Sequence, residues 1–193
     1  MVLPIVIYGD PVLRERGKNV TEITKEVRAL AADMLETMHE AHGVGLAAQQ
    51  VGHALQLAVV ELPEDDKSVT FVRVNGEEKK AADIMPLVFL NPKLELGKQK
   101  MVGEEGCLSF PDLRDNIRRS VALKATMTLL SGETITLETD GLLSRAIQHE
   151  ADHLNGILFI DRMSPMAKLS LKRRLRELEP EWEDRKKEMA AKK

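Results

Sequence analysis

Apolar positions recur at helical spacing over residues 25–41, where Val27, Leu30, Ala31, Met34, Leu35 and Met38 share one stripe. Thr24 is placed to cap that helix and Gly43 to stop it. Residues 43–52, GVGLAAQQVG, break the period. Their glycines and small side chains predict a loop that brings backbone close to another group. The run Leu55–Leu62 predicts a strand centred on Leu57–Val60. The polar stretch after it, about 63–86, predicts a surface excursion with one short strand-like run, Val69–Val74. Leu87–Leu90 predicts a further strand, ended by Asn91-Pro92. Leu94–Ser109 holds Gly97, Gly103, Gly106 and Cys107 and is assigned no regular element. Alternation in Val121, Leu123 and Ala125, and in Ile135 and Leu137, predicts a hairpin of strands near 120–129 and 134–138. A helix follows over about 141–154, capped by Asp140 or Thr139 and stopped by Gly156. The tail, about 165–190, reads as a charged helix with Pro165 near its start and a kink or break at Pro180. Strands joined mostly by loops argue for an α+β fold.

Composition narrows the class. The chain has 193 residues, enough for one domain with a trailing helix. Apolar residues make up 43% and charged residues 31%, as in an ordinary globular protein. A net charge of -3 gives no general pull toward DNA or an anionic membrane. No stretch reads as a signal peptide or a membrane span. The single cysteine, Cys107, excludes an intrachain disulfide and suits a reducing cytoplasm.

The candidate chemistry lies on the 141–154 helix. Gln148-His149-Glu150-Ala151-Asp152-His153 contains H-E-x-x-H, which places two imidazoles on one helix face. That spacing lets both reach one metal ion, with the intervening Glu beside a bound water. Leu142, Ala146, His149 and His153 follow i, i+4, i+7 and i+11, so the pair extends an inward-facing stripe. A catalytic site of this kind needs a third protein ligand. No His lies downstream, and Glu177 and Glu179 fall in a tail that reads as solvated. Upstream, Cys107 sits in Glu105-Gly106-Cys107-Leu108-Ser109, where a metal would hold its thiolate and Gly106 would allow close approach. His39, His42 and His53 have no ligand spacing.

Three segments together resemble the peptide deformylase family: Gly43-Val44-Gly45-Leu46-Ala47-Ala48-Gln49-Gln50, Glu105-Gly106-Cys107-Leu108-Ser109 and Gln148-His149-Glu150-Ala151-Asp152-His153-Leu154. Tyr8-Gly9-Asp10-Pro11-Val12-Leu13-Arg14 resembles that family's N-terminal segment, so the likeness runs from about residue 3 to 165. It implies mixed, mostly antiparallel β-sheets around a central helix carrying HExxH, plus an N-terminal and a C-terminal helix. It also implies a catalytic domain over 1–164, with 165–193 as a helical extension of the same domain. The reaction implied is removal of the formyl group from formyl-methionyl nascent chains, releasing formate, in the bacterial cytoplasm.

The same likeness gives roles to Cys107, His149 and His153 as metal ligands and to Glu150 as general base, then general acid. The Gln50 side chain and the Leu108 backbone N–H would bind the oxyanion. Val44, Gly45, Leu142, Ala146, Arg114 and the stem of Arg145 would meet the peptide, and Glu105 and Arg119 would pair behind Cys107. One divalent metal is implied, ferrous iron in the family, with nickel, cobalt or zinc accepted. His42 stands where many relatives carry an acidic residue, and the excursion at 63–86 is longer than in compact members. In relatives a C-terminal helix can dock on the ribosome, and the likeness offers the basic run Lys172-Arg173-Arg174-Leu175-Arg176 for that role, with a solvated helix as the alternative. Two rival readings of the motif are a small zinc metallopeptidase and a non-catalytic metal-binding protein.

Overall fold

A seven-stranded antiparallel sheet is the largest element of the computed structural model, which describes residues 1–191. In chain order the elements are α1 (Lys25–Glu40), β1 (Gly45–Ala47), β2 (Leu57–Val60), β3 (Val72–Val74), β4 (Glu77–Glu78), β5 (Leu87–Leu96), β6 (Lys100–Cys107), β7 (Phe110–Ser120), β8 (Leu123–Leu129), β9 (Thr134–Thr139), α2 (Gly141–Leu154), α3 (Phe159–Arg162) and α4 (Pro165–Ala191). The large sheet has the order β1-β2-β5-β8-β9-β3-β4, and β6 and β7 form a separate two-stranded ribbon. The fold is α+β, as the strand and loop pattern predicts.

The apolar run of β2 is continuous because the sheet is covered on both faces. Ala58 and Val60 pack with Leu143 and Ile147 of α2, while Leu57 and Val59 pack with Ala31, Met34 and Met38 of α1. A third cluster joins Val6, Ile7 and Leu13 to Phe110 and Ile117 of β7, Phe159 of α3, and Leu178 and Trp182 of α4. Helix α2 therefore lies between the sheet and the ribbon, and nearly every residue from Leu143 to Leu154 is buried.

Several expectations need correction. The 43–52 segment is not a plain loop: Gly45–Ala47 pairs with β2 as an edge strand and Ala48–Val51 forms a 3-10 turn. Asn91-Pro92 does not end its strand. It sits in a bulge between Leu90 and Lys93, where the missing Pro N–H costs no ladder bond, and β5 continues to Leu96. The segment assigned no element contains β6, whose partner β7 fills Phe110–Ser120, a stretch for which no strand was predicted, and the strand expected near 120–129 begins at Leu123 as β8. Exposed residues along β6 hid its periodicity.

The excursion at 63–86 does more than cover the surface. Val72–Val74 pairs with β9, and the chain before it caps α2. Ser68 Oγ accepts from the Leu142 N–H at 2.9 Å. Asp140, the expected cap, turns its carboxylate instead to the N–H groups of Thr70 and Phe71. Gly141 meets the need for positive φ at +59°, and a Cβ there would lie 2.2 Å from the Ser68 carbonyl oxygen.

The tail is not a solvated rod. Helix α4 runs through Pro180 without a break, Leu178 and Trp182 are buried, and Trp182 Nε1 donates to Asp10 Oδ2 at 2.7 Å. Residues 192 and 193 of the expected extension lie outside the described residues. Among the described residues no helix is long and apolar enough to cross a membrane.

Leu178→Ala should cost about 2–5 kcal/mol in urea unfolding. Arg176→Ala, on the exposed side of the same helix, should change stability by less than about 0.5 kcal/mol. Equal, small effects would mean that α4 adds nothing to the core.

Candidate active site

The polar face of α2 looks into a cleft of about 610 Å³. Besides the Arg145 stem, ten of the other eleven residues assigned to metal, catalysis or substrate line it: Val44, Gly45, Gln50, Cys107, Leu108, Arg114, Leu142, Ala146, His149 and Glu150. The eleventh, His153, lies just behind, with its Nε2 3.2 Å from Cys107 Sγ. The two His share a helix face by local geometry. Cys107 joins them because it ends β6, immediately before the tight Leu108-Ser109 turn into β7.

Sulfur and ring nitrogens from Cys107, His149 and His153 all lie within 4.8 Å of one another. A tetrahedral ion with bonds of about 2.0–2.3 Å sets its ligand atoms about 3.5 Å apart, so small adjustments would seat one. No other His, Cys, Asp or Glu of the described residues joins the group. Three donors of this kind leave one corner open, as catalytic metal sites do. The Oε2 of Glu150 is buried with no hydrogen-bond partner, which suits a carboxylate aimed at a ligand. The donor set and its surroundings therefore fit a single divalent ion.

The outer face of His149 is held by Glu105, whose Oε2 lies 3.0 Å from His149 Nδ1. This turns Nε2 toward the sulfur, the usual arrangement behind a metal-ligating imidazole. Glu105 also receives Arg119 through Nε and Nη2, at 2.9 and 3.0 Å, and Arg145 through Nη1 at 2.6 Å. Asp152 accepts from both Arg119 and Arg162. All of Glu105, Arg119 and His149 are buried, so each charge depends on the others.

The titration pattern follows from burial and these contacts. Burial opposes ionisation of Glu105, but bonds from His149 and Arg119 hold it well below the usual carboxylate range. Burial would lower His149, yet contacts to Cys107 and Glu105 raise it to about 10. Burial pushes His153 well below its ordinary value, and His149 pushes the same way. Burial raises Glu150 to about 7, against the nearby charge of His149. Positive charge is thus favoured between Cys107 and Glu105, where a cation would supply it.

Gly45 explains why Glu150 can reach the cleft: a Cβ there would lie 2.3 Å from Glu150 Oε1. Gly106, expected to be the close-approach glycine, leaves more room, with its nearest contact at 3.3 Å. Gln50 is fixed at both ends of its amide. Its Oε1 accepts from the Ala47 N–H at 2.9 Å, and its Nε2 donates to Ser109 Oγ at 3.2 Å and faces Cys107 Sγ at 3.5 Å.

Arg145 does more than line the cleft with its stem. Its guanidinium also donates to the carbonyls of Met101 and Ile117, at 3.1 and 3.0 Å, clamping the ribbon onto α2. Two residues around the cleft were not singled out by sequence reasoning: Asp152, which holds Arg119 behind it, and Arg185, which borders its edge. Asp152 was visible as the residue beside His153, but its partner Arg119 lies 33 positions away. Arg185 had no local signal.

The sequence model of the family described as Polypeptide deformylase matches residues 2–169. The peptide deformylase of Opitutus terrae is 44% identical over 173 residues, 89% of this chain and 90% of that protein. The crystal structure of peptide deformylase from Thermus thermophilus superposes with a TM-score of 0.78 at 33% identity, covering 94% of this chain and 99% of that one. A peptide deformylase from Synechococcus elongatus, solved in complex with actinonin, gives 0.76 at 36% identity, over 89% and 87% of the two chains. With its three motif segments gathered on one cleft and these likenesses along most of its length, the chain belongs to the peptide deformylase family.

Proposed function

We propose that Cys107, His149 and His153 hold one divalent ion, and that Glu150 uses it to hydrolyse the N-terminal formyl group of formyl-methionyl nascent chains. The convergence of one sulfur and two imidazoles beside a buried, unpartnered carboxylate oxygen carries this reading. Ferrous iron is the expected ion on the family likeness, and the donor set also suits nickel, cobalt or zinc. When bound, such an ion polarises the formyl oxygen and lowers the pKa of a water from about 15.7 toward about 7.

The residues then divide the work. Glu150 takes a proton as water attacks the formyl carbon; its buried carboxylate oxygen with no other partner suits that role. Negative charge builds on the formyl oxygen. The Gln50 amide and the Leu108 N–H are its donors, and losing one such donor typically costs about 3–4 kcal/mol of barrier. As the C–N bond breaks, Glu150 returns the proton to the leaving amine, so formate and a free N-terminus depart. Val44, Leu142, Ala146 and the Arg145 stem take the Met side chain. The Gly45 backbone pairs with the extended peptide, and Arg114 lies beside it further out.

Residues 1–164 form the catalytic domain, and the helix from 165 extends it. The exposed basic side chains of Lys172, Arg173 and Arg176 are the face offered to the ribosome. The bacterial cytoplasm, where nascent chains emerge, is the expected location.

Formate release from formyl-Met-Ala-Ser by anaerobically purified, metal-analysed protein tests the activity. Glu150→Gln should keep its metal and lose about 10²–10⁴-fold in rate. Cys107→Ala should lose both metal and activity; retained metal with retained peptidase turnover would favour the metallopeptidase instead. Removing the ion with a chelator should abolish formate release, and ferrous or nickel ion should restore it. Arg145→Leu should weaken metal binding about 10–100-fold by loosening Glu105 behind His149. Unchanged metal affinity in a competition titration would limit Arg145 to lining the cleft.

A further inference from the structure

One cleft-lining residue has no part in the chemistry above and lies outside the span that the family's sequence model matches: Arg185, on α4. Its position follows from the buried anchors of that helix. Leu178, Trp182 and Arg185 stand at i, i+4 and i+7, so they share one face. The first two sit in the core with Val6 and Ile7, and the bond from Trp182 Nε1 to Asp10 fixes the rotation of the helix. Arg185 carries the same face past the edge of the core to the cleft, where Ile5, Ile7 and Asp112 also border it.

The surrounding charges are largely committed elsewhere. Lys186 and Lys187 pair with Glu183 and Asp184, and no carboxylate among the described residues pairs with Arg185. Across the cleft, Arg114 pairs with Glu104 at 3.3 Å, and Asp112 is near enough to Arg174 for their charges to attract. The inner cleft has the opposite character, with Val44, Leu142 and Ala146 around the candidate metal ligands. A peptide whose first side chain fills that apolar end would run outward toward an unpaired guanidinium, a good partner for carboxylates.

We propose that Arg185 is a specificity-determining residue that receives a carboxylate of the substrate downstream of its first residue, giving this enzyme a preference for nascent chains acidic near their start. This rests on the deformylase reading. The contact is solvent-exposed, so its effect is modest and falls with salt.

The test compares kcat and KM for formyl-Met-Ala-Xaa-Xaa-amide, with Xaa as Asp, Ala or Lys, using metal-loaded full-length protein. The wild type should favour the Asp over the Lys peptide by about three- to fivefold in kcat/KM, carried by KM and reduced at high salt. Arg185→Gln should erase the preference, Arg185→Glu should reverse it, and Arg185→Lys should largely restore it, all with kcat on the Ala peptide unchanged. An Asp-to-Lys ratio that is the same in wild type and Arg185→Glu overturns the proposal while leaving the deformylase reading intact. If metal-loaded wild type releases no formate from any of the three peptides, the deformylase reading fails and this proposal goes with it.

Discussion

A run of polar side chains buried on α2 is the constraint on which the rest of this protein depends. Gln148, His149, Glu150, Asp152 and His153 are all removed from water, and buried polar groups are costly unless bonded. The β6–β7 ribbon answers most of that demand. The backbone of Ser120 takes both ends of the Gln148 amide, Glu105 takes His149, and Arg119 takes Asp152. Glu150 Oε2 and His153 Nδ1 are left without partners. The ribbon that satisfies the helix also ends in Cys107, so structural support and the third candidate ligand arrive on the same element.

Arg119 is the pivot of this arrangement. It touches Glu105 on the ribbon and Asp152 on the helix, while Glu105 in turn orients His149. Removing one member of such a buried ion cluster strands the others, a cost typically of about 3–5 kcal/mol. Stability and the placement of the candidate ligands are therefore coupled through the same side chains. The excursion and α4 support the cluster from further away. The excursion caps α2 and closes the sheet edge, and α4 buttresses the ribbon through Phe110 and Ile117.

Much of the candidate site was legible in the chain because its parts are local. The i, i+4 spacing of His149 and His153 places two imidazoles together in any α-helix, whatever surrounds it. Gln50 and Gly45 lie in one short segment, and the β8–β9 hairpin follows from alternation across a four-residue link. What was misread depended on partners distant in sequence. The strand β6 shows little alternation because its outer residues are exposed and its bonds go to β7. Helix α4 looked solvated because it meets the core through a few side chains, chiefly Leu178 and Trp182, amid many charges.

By itself the sequence determined the α+β class, the helix that carries the two histidines, and the residue types needed for metal-assisted hydrolysis. These depend on periodicity and side-chain chemistry, which act over a few neighbouring residues. Only the tertiary structure decided that Cys107 reaches His153 across 46 positions. It alone also decided that Glu105 is bound by two arginines, that Ser68 caps α2, and that Arg185 borders the cleft. Those contacts are set by how separate elements pack to bury apolar surface and pair buried charges, and no local pattern encodes that outcome.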